Sequence, residues 1–129
     1  MTQTIAIHGV MLRIRQYGLL LQGDSGTGKS TIALGLINHG YQLVSDDCVE
    51  LTRINHAIIA KAPSLLQNLL YTPDYGLINM KEHFGDNAVA PHAVLTHVIS
   101  LDPINMSLAK PENTISFLGI TFKKNHIIT

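Results

Sequence analysis

Residues 23–30, Gly23-Asp24-Ser25-Gly26-Thr27-Gly28-Lys29-Ser30, satisfy every fixed position of the pattern G-x-x-x-x-G-K-[ST]. Each fixed type has a chemical task. Glycines let successive backbone N–H groups turn inward around phosphate oxygens, and a helix starting where the loop ends adds its partial positive charge there. Lys29 supplies a point charge for the β- and γ-phosphates. The Ser30 hydroxyl can complete the shell of a Mg²⁺ ion bridging them. The expected ligand is therefore a nucleoside triphosphate, ATP in the first instance, bound with Mg²⁺. The bland alternative is a glycine-rich turn that holds nothing, and the complete match between a strand and a helix weighs against it.

Asp46 and Asp47 follow sixteen residues after the loop. Phosphoryl transfer needs a metal, a cation on the phosphates and a carboxylate that orients the nucleophile. Two adjacent acids can divide the metal and acceptor roles. Alone, the pair reads as a turn opening a hairpin; the glycine loop ahead of it favours the chemical reading. His8, read alone, is a surface histidine at a strand entry. His39, His56, His83, His92, His97 and His126 show no metal-ligand spacing, so no zinc site is expected. Arg13 and Arg15 read as a solvated stripe, and Lys123-Lys124 as a charged tail.

These residues need elements to hold them. Val10, Leu12 and Ile14 alternate with Met11, Arg13 and Arg15, the period of a strand with one buried face. Gln16-Tyr17-Gly18 turns the chain, and Leu19-Leu20-Leu21 forms a second, hairpin-paired strand that ends at the glycine loop. Ile32, Ala33, Leu36 and Ile37 recur at helical spacing and Gly40 supplies a stop, giving a helix over 29–39. Tyr41 to Ser45 reads as a strand ending in the Asp46-Asp47 pair. Stretches 49–53 and 57–61 read as a hairpin around Ile54-Asn55-His56. Pro63 opens a helix carrying Leu65, Leu66, Leu69 and Leu70 as core positions. Residues 72–76 are turn-rich, and an exposed loop is expected through Leu77-Ile78-Asn79-Met80. Residues 83–92 read as irregular, 94–101 as a buried strand, and 102–113, with two prolines, as lacking a period. Stretches 115–118 and 120–122 are the last apolar elements.

The 129 residues and 46% hydrophobic content support one core, so residues 1–129 read as a single α/β domain. Nine basic residues balance nine acidic ones, which leaves no electrostatic footprint for nucleic acid or an anionic membrane. No apolar run of about 18 residues and no secretory leader is visible. Cys48 is the single cysteine and has no internal partner, in keeping with a reducing, cytoplasmic setting.

With these motifs placed, the chain resembles the catalytic domain of the HPr serine kinase/phosphorylase family, which acts on the phosphocarrier protein HPr of sugar-uptake systems. Three blocks carry the resemblance: His8-Gly9-Val10 leading to Gly18-Leu19-Leu20-Leu21-Gln22 and residues 23–30; His39-Gly40-Tyr41-Gln42-Leu43-Val44-Ser45-Asp46-Asp47; and Gly76-Leu77-Ile78-Asn79-Met80 with Phe84-Gly85. The resemblance implies a mixed β-sheet with a P-loop, like the nucleotide-binding domain of phosphoenolpyruvate carboxykinases. It implies ATP and Mg²⁺ as cofactors, an HPr-like protein as partner, and a homo-oligomer, typically a hexamer. In it Lys29 is the phosphate lysine, Ser30 and Asp46 hold metal, Asp47 is the acceptor-activating base, and His8 stands beside the carboxylates.

The same comparison of motifs marks departures. Ahead of Gly76 the family carries a metal-binding glutamate and an arginine, where Thr72 and Asp74 are expected to stand. No arginine block is evident over 102–113, and the basic loop tied to phosphorylase activity and the N-terminal domain of many members are expected to be missing. The implied function is an ATP-dependent protein serine kinase acting on HPr and regulating carbohydrate metabolism. Alternatives are a catalytically weak ATP-binding regulator and a small-molecule kinase or phosphatase.

Overall fold

The computed structural model describes residues 3–24, 26–102 and 113–128. Ser25 and the aperiodic stretch 103–112 therefore lie outside the described residues. β1 (Thr4–Ile14) and β2 (Tyr17–Gln22) form the expected hairpin, and α1 (Lys29–Asn38) follows the glycine loop. β3 (Gln42–Ile54) and β4 (Ala57–Lys61) form the next hairpin. A two-stranded hairpin of β5 (Leu69–Thr72) and β6 (Gly76–Asn79) leads into the short helix α2 (Met80–Phe84). β7 (Ala93–Val94), β8 (His97–Asp102), β9 (Thr114–Phe117) and β10 (Ile120–Ile128) complete the chain.

Eight strands make one mixed sheet in the order β7-β4-β3-β1-β2-β8-β10-β9. The pairs β2–β8 and β8–β10 are parallel, while β1 runs antiparallel to both β2 and β3. Alternation along β1 and β2 sends residues to opposite faces. Val10, Leu12 and Leu21 join Ala33 and Ile37 of α1 in one core, with Leu70 and Met80 closing it. Met11 and Leu20 point the other way, into a second core with Val49, Leu51, Ile58, Leu95 and Val98. The helix over 29–39 forms within one residue of its expected end, and the N–H groups of Gly40 and Tyr41 cap the carbonyls of Ile37 and Leu36. Among the described residues no helix is long and apolar enough to cross a membrane.

Lys123-Lys124, expected as a charged tail, lie instead within β10, paired to β9 and β8, and three further expectations change. First, the strand opening at residue 41 does not end at Asp46-Asp47. β3 runs on through the pair, which lies opposite Val10 and Gly9 of β1. The register slips between Met11 and Leu12, because Met11 faces Ser45 and Leu12 faces Leu43, leaving Val44 as an extra, bulged residue. The apparent break is thus a kink in a continuous ladder. Second, Pro63 opens a 3-10 turn, Ser64–Leu66, and not a helix. Asn68 takes a left-handed φ of 69°, which stops any helix, and Leu69 and Leu70 enter a strand. Leu65 is consequently 91% exposed, so it is not core. Third, Leu77 to Met80 is not a loop: it forms β6 and the start of α2, where Asn79 Oδ1 accepts the Glu82 N–H at 3.1 Å as an N-cap.

Candidate active site

The loop at 23–28 joins the end of β2 to the first turn of α1, so the unpaired N–H groups and positive end of that helix adjoin it. Gly28 is the N-cap and sits at φ 90°, a conformation that costs an L side chain strain and costs glycine none. At the other end, a Cβ on Gly23 would lie 2.7 Å from the Leu101 carbonyl of β8, so only glycine lets the loop leave the sheet this closely. Thr27 ties the loop to itself, its Oγ1 donating to the Asp24 carbonyl at 2.7 Å and its N–H to the same oxygen at 3.2 Å. Lys29 Nζ lies across the loop and donates to the carbonyls of Gly23 at 2.5 Å and Asp24 at 3.0 Å.

Facing the loop, β3 presents its two acids. Consecutive residues of a regular strand point to opposite faces, yet Asp46 and Asp47 both line one cavity. Asp47 does this by adopting φ 71°, which aspartate tolerates better than most residues, and Ser45 Oγ donates to the Cys48 carbonyl across the kink. Asp46 is half-buried, and its Oδ2 accepts the backbone N–H of Tyr71 at 2.9 Å. Burial raises its carboxyl above the ordinary aspartate value, and the charge of Asp47 adds to the rise; the Tyr71 and Asp47 N–H groups and the charge of Lys29 oppose it. Asp47 is exposed and lies 3.4 Å from His8 Nδ1 on the neighbouring strand.

One cavity of about 440 Å³ is lined by His8, Gly23, Asp24, Gly26, Gly28, Lys29, Ser30, Asp46 and Asp47, joined by Gly9, Thr31, Tyr71 and Pro73. Every expected site residue among those described reaches it except Thr27, which braces the loop from behind. Four lining residues were not expected. Thr31 and Gly9 adjoin expected ones and could have been reached by extension. Tyr71 and Pro73 had no local signal, since the helix expected over 63–70 gave them no common face.

The β5–β6 hairpin places the two expected departures, Thr72 and Asp74, away from the cavity. Thr72 is 3% exposed, and its Oγ1 accepts the Tyr75 N–H at 3.1 Å, so it braces the turn inside the protein. Neither Thr72 nor Asp74 lines the cavity; the hairpin wall facing the loop consists of Tyr71 and Pro73. Strand alternation explains this placement. Leu70 and Thr72 point inward, and Tyr71 points out between them.

Fold and site together define a class: an α/β domain with a large mixed sheet, in which a glycine-rich strand-to-helix loop faces an aspartate pair. The chain belongs to the HPr Serine kinase C-terminal domain family, which it matches over residues 1–128. It is 40% identical over 126 residues to the HPr kinase/phosphorylase of Geobacillus thermodenitrificans, a match covering 97% of this chain and 39% of that relative. It is 41% identical over 100 residues to the HPr kinase/phosphorylase of Bacillus subtilis, covering 77% of this chain and 32% of that one. The chain thus spans about two fifths or less of the length of these curated relatives. The solved structure of the Hpr(Ser) kinase/phosphatase from Coxiella burnetii superposes with a TM-score of 0.87 at 29% identity, covering 97% of this chain and 86% of that one.

Proposed function

We propose that this protein binds ATP at the glycine loop and transfers the γ-phosphoryl group to a serine hydroxyl of an HPr-like phosphocarrier protein. The observation that carries the reading is the meeting, in one cavity, of Lys29 and Ser30 with Asp46 and Asp47. Family membership supports the phosphocarrier as acceptor, because the relatives it matches are HPr kinase/phosphorylases.

The chain's own residues account for each requirement. Backbone N–H groups of the loop and the α1 terminus receive the phosphates. Lys29 moves from the loop carbonyls it now contacts to the β- and γ-oxygens, a short swing of a flexible stem. Ser30 and Asp46 offer hard oxygens from opposite walls, which suits Mg²⁺, an ion that takes one or two carboxylates and completes its shell with phosphates and water. When bound, Mg²⁺ neutralises charge that develops on the transferring phosphoryl group. Asp47, exposed at the cavity mouth, accepts the proton of the incoming serine hydroxyl, and His8 beside it holds that carboxylate in place. The reverse step would have Asp47 return the proton as inorganic phosphate attacks phosphoserine. Regulation of carbohydrate metabolism and sugar uptake, a cytoplasmic setting and assembly into a homo-oligomer, a hexamer by family resemblance, belong to the same reading.

The test is transfer of radiolabelled phosphate from ATP to HPr. Wild-type protein labels HPr and Lys29→Ala does not; folded wild-type protein that labels no HPr overturns the reading. A second reading, an ATP-binding regulator with weak turnover, is favoured by one observation. The hairpin wall of the cavity offers Tyr71 and Pro73, with neither carboxylate nor guanidinium. ATP affinity by calorimetry without label transfer would select it.

A further inference from the structure

The β5–β6 hairpin carries an apolar surface that the catalytic reading leaves unused. Tyr71 and Leu77 are directly paired across the two strands, so their side chains share one face. That face is outward: Tyr71 is 56% and Leu77 65% exposed, whereas Leu70 and Thr72, pointing the other way, are buried. Tyr75, in the connecting turn, is 74% exposed. Large apolar groups gathered on a surface mark contact sites when they cluster, not when they scatter. Here they cluster on a single hairpin. Its sequence from 69 to 80 contains one charged side chain, Asp74.

Position then says what covers this surface. Tyr71 lines the cavity and also belongs to the outward face, so the apolar patch begins at the rim of the site. A macromolecule that brings a hydroxyl to Asp47 must lay the residues flanking that hydroxyl on the surrounding rim. On the loop side the rim is polar, formed by Asp24, Lys29 and His8; on the hairpin side it is apolar. The hairpin is also held firmly. Leu70 and Met80 anchor it in the core beneath α1, and the Tyr71 N–H is bonded to Asp46.

We propose that Tyr71, Leu77 and Tyr75 form the ledge on which the acceptor protein seats an apolar side chain adjoining its phosphorylatable hydroxyl. This rests on the kinase reading for the identity of the acceptor. It deepens that reading by assigning acceptor selection to a hairpin, separate from the loop that holds the nucleotide. A free metabolite has no flanking side chain to place there, so the ledge favours a protein over a small hydroxylated acceptor.

The experiment measures binding, so that it does not depend on turnover. HPr is titrated into the full chain in the presence of Mg²⁺ and a non-hydrolysable ATP analogue, for wild type, Leu77→Ser and Tyr75→Ser. Both replaced side chains are exposed and outside the cavity lining, so analogue affinity and melting temperature stay at wild-type values. Each variant is expected to weaken HPr binding about tenfold, the scale of one apolar side chain's burial, and Leu77→Met is expected to restore it. Undiminished HPr affinity in both serine variants overturns the proposal, as does failure of wild-type protein to bind HPr at all. Leu77-dependent binding without label transfer upholds the ledge while overturning the kinase reading.

Discussion

Asp46 and Asp47 are neighbours in sequence and occupy different environments, and under the proposed kinase reading that difference divides their work. Asp46 is half-buried and fixed by the Tyr71 N–H, which suits a group that stays put beside a metal. Asp47 is exposed, which suits a group that would meet an incoming hydroxyl. Asp47→Asn is therefore expected to lower label transfer by roughly 10²- to 10⁴-fold, the usual contribution of a general base, with ATP affinity unchanged by calorimetry. Asp46→Asn is expected to lose Mg²⁺-dependent ATP affinity instead.

The raised pKa of Asp46 also has a stability consequence with a definite sign. Its proton is held more tightly in the folded chain than in the unfolded one, so ionisation costs stability. The folded state has its full stability from this group below the unfolded value of 3.8, and loses some as pH climbs through the higher folded value. Asp46→Asn, which keeps an acceptor for the Tyr71 N–H, should then melt higher than wild type at pH 7, with the gain shrinking to nothing below 3.8. A variant less stable than wild type at pH 7 would mean that the attraction to Lys29 outweighs burial. Much of the residue scale was readable in the sequence, because the loop and the acids are chemically distinctive; His8 came from the family resemblance alone. Tyr71 and Pro73 were not, because no side-chain chemistry marks them; only the alternation of β5 and the turn that follows it bring them to the cavity.

At the scale of elements, periodicity and turn chemistry told the β1–β2 and β3–β4 hairpins and α1 correctly, and failed where one residue changes the backbone. Val44 adds a bulge and Asp47 a left-handed turn of φ, so β3 looked like two strands separated by an acidic break. Asn68 similarly converts a leucine-rich stretch with helical spacing into a 3-10 turn followed by a strand. None of the three is a glycine or proline, so none announces itself. Boundaries set by glycine were readable: Gly28 at φ 90° starts α1 and Gly40 follows its end. Its hydrogen can be replaced without a clash, since a Cβ there meets nothing within 4 Å, so Gly28→Ala isolates the conformational effect. We expect Gly28→Ala to cost about 1–2 kcal/mol in urea unfolding, or else to relax the loop toward negative φ. In the second case stability is retained and ATP affinity falls. Unchanged stability together with unchanged affinity would show that the left-handed N-cap does not matter.

The whole molecule hangs on the two central strands. β1 lies between β2 and β3, and successive residues of it feed two cores on opposite faces of the sheet. The core under α1 supports the glycine loop through Leu21 before it and Ala33 after it, while the other core holds no residue of α1. Both Leu12, in the first core, and Leu51, in the second, are fully buried, so truncation of either to alanine should cost about 2–5 kcal/mol. Their side chains lie on opposite faces with no shared cluster, so the two losses should add to within about 0.5 kcal/mol in the double variant. One sheet carrying both cores should nevertheless unfold as a unit, giving both single variants the wild-type urea m-value. Function separates what stability does not. Leu12→Ala opens space beneath the loop-bearing face and is expected to weaken ATP binding in protein that is still folded, whereas Leu51→Ala, at equal loss of stability, leaves it intact. Equal effects on ATP affinity from both variants would show that the sheet transmits strain through its full thickness and that the glycine loop is not supported by one face alone.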